Sequence, residues 1–168
     1  MNTALSLGGI VLAAAILYAN FRPWWKSPGR DPKALIPFSS GATLGAMATI
    51  CIGGLLGWGA AGIAGIITKV GDKAVSGTVG TGGAPVAHGS MGSLAPEGGA
   101  VVFLLFIGVL MLYRSSGKLD KRRTIGGFVC GATLAFLPGV AGLLAFLPEA
   151  ANWTGASVLA SLNSESLL

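Results

Sequence analysis

The chain reads as an all-α polytopic membrane protein with four transmembrane helices and both termini outside. Three observations predict this class. Of 168 residues, 52% are hydrophobic and only 10% charged, with a mean hydropathy of +0.74. A soluble domain carries about 25% charged residues, so this chain has too little charge to cover a surface facing water. Apolar runs fall at about residues 3–20, 39–68, 98–113 and 124–147, and the basic residues gather in the short segments between the first two and the last two.

The first run, "TALSLGGIVLAAAILYAN" from Thr3, has no Lys or Arg before it and is followed by Arg22 and Lys26. A secretory leader has the reverse order, with a basic start and then a cleavage site, so the run reads as an uncleaved anchor. Tyr18, Phe21, Trp24 and Trp25 form an aromatic belt at its basic side. The segment to Lys33 then adds Arg30 and Lys33 against Asp31.

The second run, "SSGATLGAMATICIGGLLGWGAAGIAGIIT", carries a small residue at every fourth position: Gly41, Gly45, Thr49, Gly53, Gly57, Ala61 and Gly65. Glycine weakens a helix in water by roughly 1 kcal/mol relative to alanine. In lipid, however, helices associate through close packing, which small residues permit. Gly41, Gly45, Gly53, Gly57, Ala61 and Gly65 are therefore the candidate helix-packing residues. They serve either packing inside the monomer or self-association. A period of four drifts by roughly 40° per step on a 3.6-residue helix, so the stripe winds and the helix is expected to be a hub. It would be about 45 Å long against a hydrocarbon core near 30 Å. It must tilt, project, or break near Gly53-Gly54 or between Gly57 and Gly62.

The third run, "GGAVVFLLFIGVLMLY", is bulky and reads as a lipid-facing periphery. The fourth contains Pro138, expected to kink it, and is expected to end at Pro148. Cys51 and Cys130 sit at different depths without metal-ligand spacing and read as packing residues. Residues 70–97 are rich in Gly, Ser, Thr, Ala and Pro, which predicts a mobile outer loop, with His88 solvated in it. The tail 148–168 places Trp153, Val158, Leu159 and Leu162 at near-helical spacing, as an interfacial helix would. Asn152-Trp153-Thr154 fits a glycosylation acceptor.

The segment "RSSGKLDKRR" holds Arg114, Lys118, Lys121, Arg122 and Arg123 against Asp120. With the Arg22–Lys33 segment it fixes orientation, because four spans place both on one side and basic segments stay in the cytoplasm. These five residues are the candidate contacts to anionic lipid. Contact with nucleic acid through them would be weak, independent of sequence and dependent on salt.

No expected span has an interior Asp, Glu, Lys, Arg or His. Proton relays, coupled transport and intramembrane hydrolysis need such groups at depth. The reading is non-enzymatic, with no catalytic, cofactor-binding or metal-binding residues and no cofactor. Two classes remain: a component that organises a membrane assembly, as a homo-oligomer or with other membrane proteins, and an oligomeric pore former.

The stretch "GRDPKALIPFSSGATLGAMATICIGGLLGW", Gly29 to Trp58, resembles small membrane proteins of actinobacterial mobile elements and phages, including plasmid-spread proteins that assist conjugal DNA transfer. The resemblance implies a bacterial inner membrane, partners in a multi-protein complex and DNA nearby. A phage holin, which forms lysis pores, is the alternative from the same setting.

Overall fold

The computed structural model describes residues 5–27, 29, 31–51, 54–80 and 84–165. The elements are β1 (Leu5–Ser6), α1 (Leu7–Lys26), a 3-10 turn (Pro32–Leu35), α2 (Ile36–Ala48), α3 (Leu55–Val79), β2 (Pro85–Val86), α4 (Pro96–Ser115), α5 (Lys118–Leu134), α6 (Pro138–Leu143) and α7 (Phe146–Glu165). The chain is helical, and α1 and α4 are each long and apolar enough to cross a membrane. A third candidate is α5 together with α6–α7, which is bent by 106°.

The tightest crossing joins α2 to α5, where glycines bring backbone onto backbone. Gly41 lies on the Thr124 carbonyl and Gly45 on the Phe128 carbonyl, while Gly127 lies on the Phe38 carbonyl and Gly131 on that of Ala42. Any Cβ at these four positions would intrude on main-chain atoms that cannot swing aside. The contacts climb together from Phe38 and Thr124 to Gly45 and Ala132, so the two helices run parallel. Helix α1 runs antiparallel to α5. Asn20 lies beside Gly126, the Cys130 thiol donates to the Ala13 carbonyl at 3.3 Å, and Leu5 packs in one cluster with Phe136.

These contacts are related by a pseudo-twofold axis. One shift along the sequence carries Gly41 to Gly127, Phe38 to Thr124 and Ala42 to Phe128, and the contacts transform with it. The outer crossings follow the same pairing with slightly different shifts of their own. Gly71 on α3 meets the Gly8 carbonyl of α1, and Gly155 on α7 meets the Glu97 carbonyl of α4. Gly9 meets Thr68, and its counterpart Gly98 meets Asn152. The fold is thus one plan used twice. In each half a long apolar helix is followed by a glycine-faced helix, a break, and a further helix crossing back over the start of the first.

The second expected span is not one helix. Helix α2 ends at Ala48 and α3 starts at Leu55, so the break falls at the first of the two expected places; Gly53 itself lies outside the described residues. At the end of α2 the freed groups turn inward: the Thr49 hydroxyl donates to the Ala46 carbonyl at 2.7 Å, and the Cys51 thiol donates to that of Met47 at 3.4 Å. The fourth span is divided too. Pro138 does not kink a continuous helix but opens α6, where its missing N–H costs nothing. Pro148 does not end a helix either, because it lies in the first turn of α7.

The described part of the stretch 70–97, expected as an outer loop, carries regular structure and buried contacts. Helix α3 continues to Val79 and closes on Gly80 in the left-handed region (φ 74°). Strand β2 then pairs antiparallel with β1, Leu5 against Val86. The Gly89 N–H donates to the Phe136 carbonyl in the α5–α6 break at 2.7 Å, and Met91 is buried in the largest apolar cluster. Polar composition did not leave this segment free, because a broken helix nearby offers it an unpaired carbonyl and an apolar pocket.

Gly45→Ala and Gly131→Ala should each destabilise the protein in detergent by about 1–3 kcal/mol, the usual cost of overpacking. Gly62→Ala, at a position with open space around it, should be neutral or slightly stabilising. Unfolding titrations followed by tryptophan fluorescence would check this; equal effects at all three positions would contradict the crossing geometry.

Candidate functional site

The described surface offers two features with functional content: the glycine-bearing crossings and a basic end. Of the expected packing residues, Gly41 and Gly45 are consumed inside the monomer by α5. Gly57 packs on the Cys51 carbonyl at the break. Ala61 and Gly65 are only half-buried, whereas Ala60, Ala64 and Gly71 form the buried face of α3. The period-four ladder does not continue through α3, because the break after Ala48 resets the helical phase. The hub is accordingly α2 with α5, and α5 also packs against α1 and α3. Gly127 and Gly131 were missed as packing residues, although their own four-residue spacing was visible in the fourth run.

What the crossings leave uncovered is equally specific. Helix α3 exposes Leu55, Trp58, Ile66 and Val70 on the side that carries Gly59 and Gly62, both without a heavy atom in Cβ range. Helix α7 exposes Trp153, Val158, Leu159 and Leu162. The tail is therefore a helix crossing α4: Val158, Leu159 and Leu162 line a groove against α4, and Trp153 is exposed on the opposite side. Asn152 spends its amide on this crossing: Oδ1 accepts from the Ala95 N–H at 2.9 Å and Nδ2 donates to the Ser93 carbonyl at 3.2 Å. That engagement argues against a glycan on it.

At the other end of α4 the two basic segments come together. Arg123 donates from Nη1 to the Ala34 carbonyl at 3.3 Å and pairs with Asp120 at 3.5 Å. It tethers the start of α5 to the 3-10 turn. Trp24 Nε1 donates to the Asp31 carbonyl at 2.9 Å, and Asp31 caps the turn by accepting from the Lys33 N–H. The five predicted basic residues therefore divide by role. Arg123 is structural, Arg114, Lys118 and Arg122 are exposed, and Lys121 is half-buried with its ammonium 5.5 Å from the Tyr113 ring centroid. On α1, Arg22 lies over Tyr18 at 5.9 Å, beside the packed rings of Phe21, Trp24 and Trp25. Basic heads on aromatic rings are what the boundary between lipid and water selects.

Among the described residues no group of His, Cys, Asp and Glu could hold a metal ion. His88 is exposed, and its ring lies 4.6 Å from that of Phe136. Both cysteines are free thiols. Comparison with protein-family models, with curated proteins and with solved structures gives no match.

Arg123→Gln should lower stability by about 1–2 kcal/mol through loss of a charged hydrogen bond, while Arg122→Gln should change nothing measurable. Thermal unfolding of the two variants in one detergent separates them; equal behaviour would remove Arg123 from its structural role.

Proposed function

We propose that the protein is a non-enzymatic integral membrane component that organises a larger membrane assembly through its uncovered helix faces. In this reading α1, α2, α4 and α5 form the membrane-crossing core. The basic end lies in the cytoplasm, both termini lie outside, and α3 and α7 cross over at the outer side. The observation that carries it is the side of α3 bearing Trp58, Gly62 and Ile66, which is apolar, thin and unpartnered within the chain. Apolar helices in lipid gain little from burial alone, so a face that admits close backbone approach is where association gains energy. The resemblance to mobile-element proteins suggests DNA-transfer machinery of a bacterial inner membrane as the setting. The pore alternative draws less support, because the cavities between the helices are lined almost wholly by apolar side chains.

Orientation is tested with single cysteines at Ser90 and Ser115, both exposed, in a Cys51→Ala, Cys130→Ala background. Ser90→Cys should react with an impermeant maleimide on intact cells, and Ser115→Cys only after permeabilisation. The opposite pattern would invert every assignment of sides above.

Association is tested by cross-linking in liposomes alongside dye release. The native protein should cross-link to itself or to co-reconstituted partners and release no dye. Gly62→Leu should reduce cross-linking several-fold, since contacts of this kind are worth on the order of 1 kcal/mol each. Dye release that depends on Gly62 would replace the assembly reading with the pore.

A further inference from the structure

The pseudo-twofold plan repeats a groove as well as helices, and the two copies differ in size and in the residue at their mouth. A cavity of about 290 Å³ lies among α2, α4 and α5, with Ile63 of α3 at one end. Its walls include Leu44, Phe106, Leu110, Ile125 and Phe128. The counterpart, about 180 Å³, is lined by Cys130, Leu17 and Phe38 among others. The shifts that relate the halves carry Cys130 onto Leu44, Leu17 onto Phe106 and Phe38 onto Thr124. Both grooves are apolar. At the mouth of the larger groove Lys121 sits one turn before Thr124 and Ile125; at the equivalent place before the smaller groove stands Leu35, where the nearby Arg123 guanidinium is already spent on the Ala34 carbonyl and Asp120.

The Lys121 ammonium is half-buried over Tyr113, which itself lines the groove. It makes no ion pair among the described residues, because the neighbouring acid, Asp120, is taken by Arg123. Exposed Arg114 and Lys118 stand on the same segment. An uncompensated cation at the open end of an apolar slot is complementary to a molecule with one anionic head and a hydrocarbon tail.

We propose that this groove is a binding site for an anionic phospholipid, with an acyl chain along Phe106, Leu110, Ile125 and Phe128 and the phosphate on Lys121 with Arg114. The site rests on the membrane reading given above but not on assembly, since every lining residue comes from one chain. The bound lipid fills the gap between α4 and the α2–α5 pair, so it also fixes how α4 is held to the core. Basic pockets between membrane helices on the cytoplasmic side recognise anionic headgroups in this manner.

The test uses the full chain in phosphatidylcholine vesicles containing a trace of phosphatidylglycerol with a photoreactive acyl chain, and the cross-linked peptides are mapped. Labelling should fall on 106–113 and 125–129, and unlabelled phosphatidylglycerol should compete for it better than phosphatidylcholine does. Lys121→Gln should cut that preference about fivefold, the worth of one basic residue near the surface, and Lys121→Arg should restore it. Leu110→Trp, which fills the slot, should abolish labelling while circular dichroism stays unchanged. Equal competition by phosphatidylcholine, or equal labelling around Leu17 and Phe38, would reduce the groove to ordinary lipid contact and overturn the proposal. So would a cross-link showing a helix of a second copy in the slot. Cross-linking between chains is scored in the same samples, so loss of assembly and loss of the lipid site are read separately.

Discussion

Everything else in this fold depends on the contact between the backbones of α2 and α5. Four glycines let each helix lay its carbonyls against the Cα atoms of the other, closer than any side chain would allow. In lipid, where burial of apolar groups is no driving force between helices, such contact is the main source of attraction. The geometry is self-complementary, with Gly41 and Gly127 playing the same part on opposite partners. A self-complementary contact generates a twofold axis, and the rest of the chain is arranged about it. Helices α1 and α4 flank the pair, and α3 and α7 cross back over the ends of α1 and α4 on further glycines.

Tight pairing also accounts for the breaks. Both glycine-faced helices stop soon after their crossing, and the residues at the two stops share one apolar cluster containing Ile50, Ala135 and Ala141. Within a membrane, a break would expose backbone groups that lipid cannot satisfy. Here local hydroxyl and thiol bonds cover the end of α2, and the Gly89 N–H reaches the Phe136 carbonyl from the connecting segment. This is why a stretch with the composition of a flexible linker is ordered by a short β pair and by the burial of Met91.

The functional reading follows from what this packing consumes and what it leaves. Gly41 and Gly45 look like association motifs in isolation, yet they are spent inside the monomer. The exposed apolar residues lie instead on α3 and α7, outside the contacts these helices make with α1, α5 and α4. The basic end divides similarly: Arg123 holds two segments together, and Lys121 is left with an aromatic ring and no acid beside an apolar groove. Duplication of the plan sharpens that contrast, since equivalent grooves differ in charge at one position.

Composition and run length by themselves determined that the chain is helical and that it holds helices able to cross a membrane. A row such as Val101 to Leu112 needs no partner to declare itself, because its preference for lipid is a sum over its own residues. The sequence also offered a break in the second run, near Gly53-Gly54 or between Gly57 and Gly62, as one of three ways to fit an overlong helix, beside tilt and projection. Only the tertiary structure decided where that helix stops and which face of α3 is buried, Ala60 and Ala64 rather than Ala61 and Gly65. The same holds for the pairing of Gly41 with Gly127 and for the ordering of residues 84–95. Each of these depends on a neighbour distant in sequence, and a periodic pattern along one helix carries no record of where a break resets its phase or which backbone will lie against it.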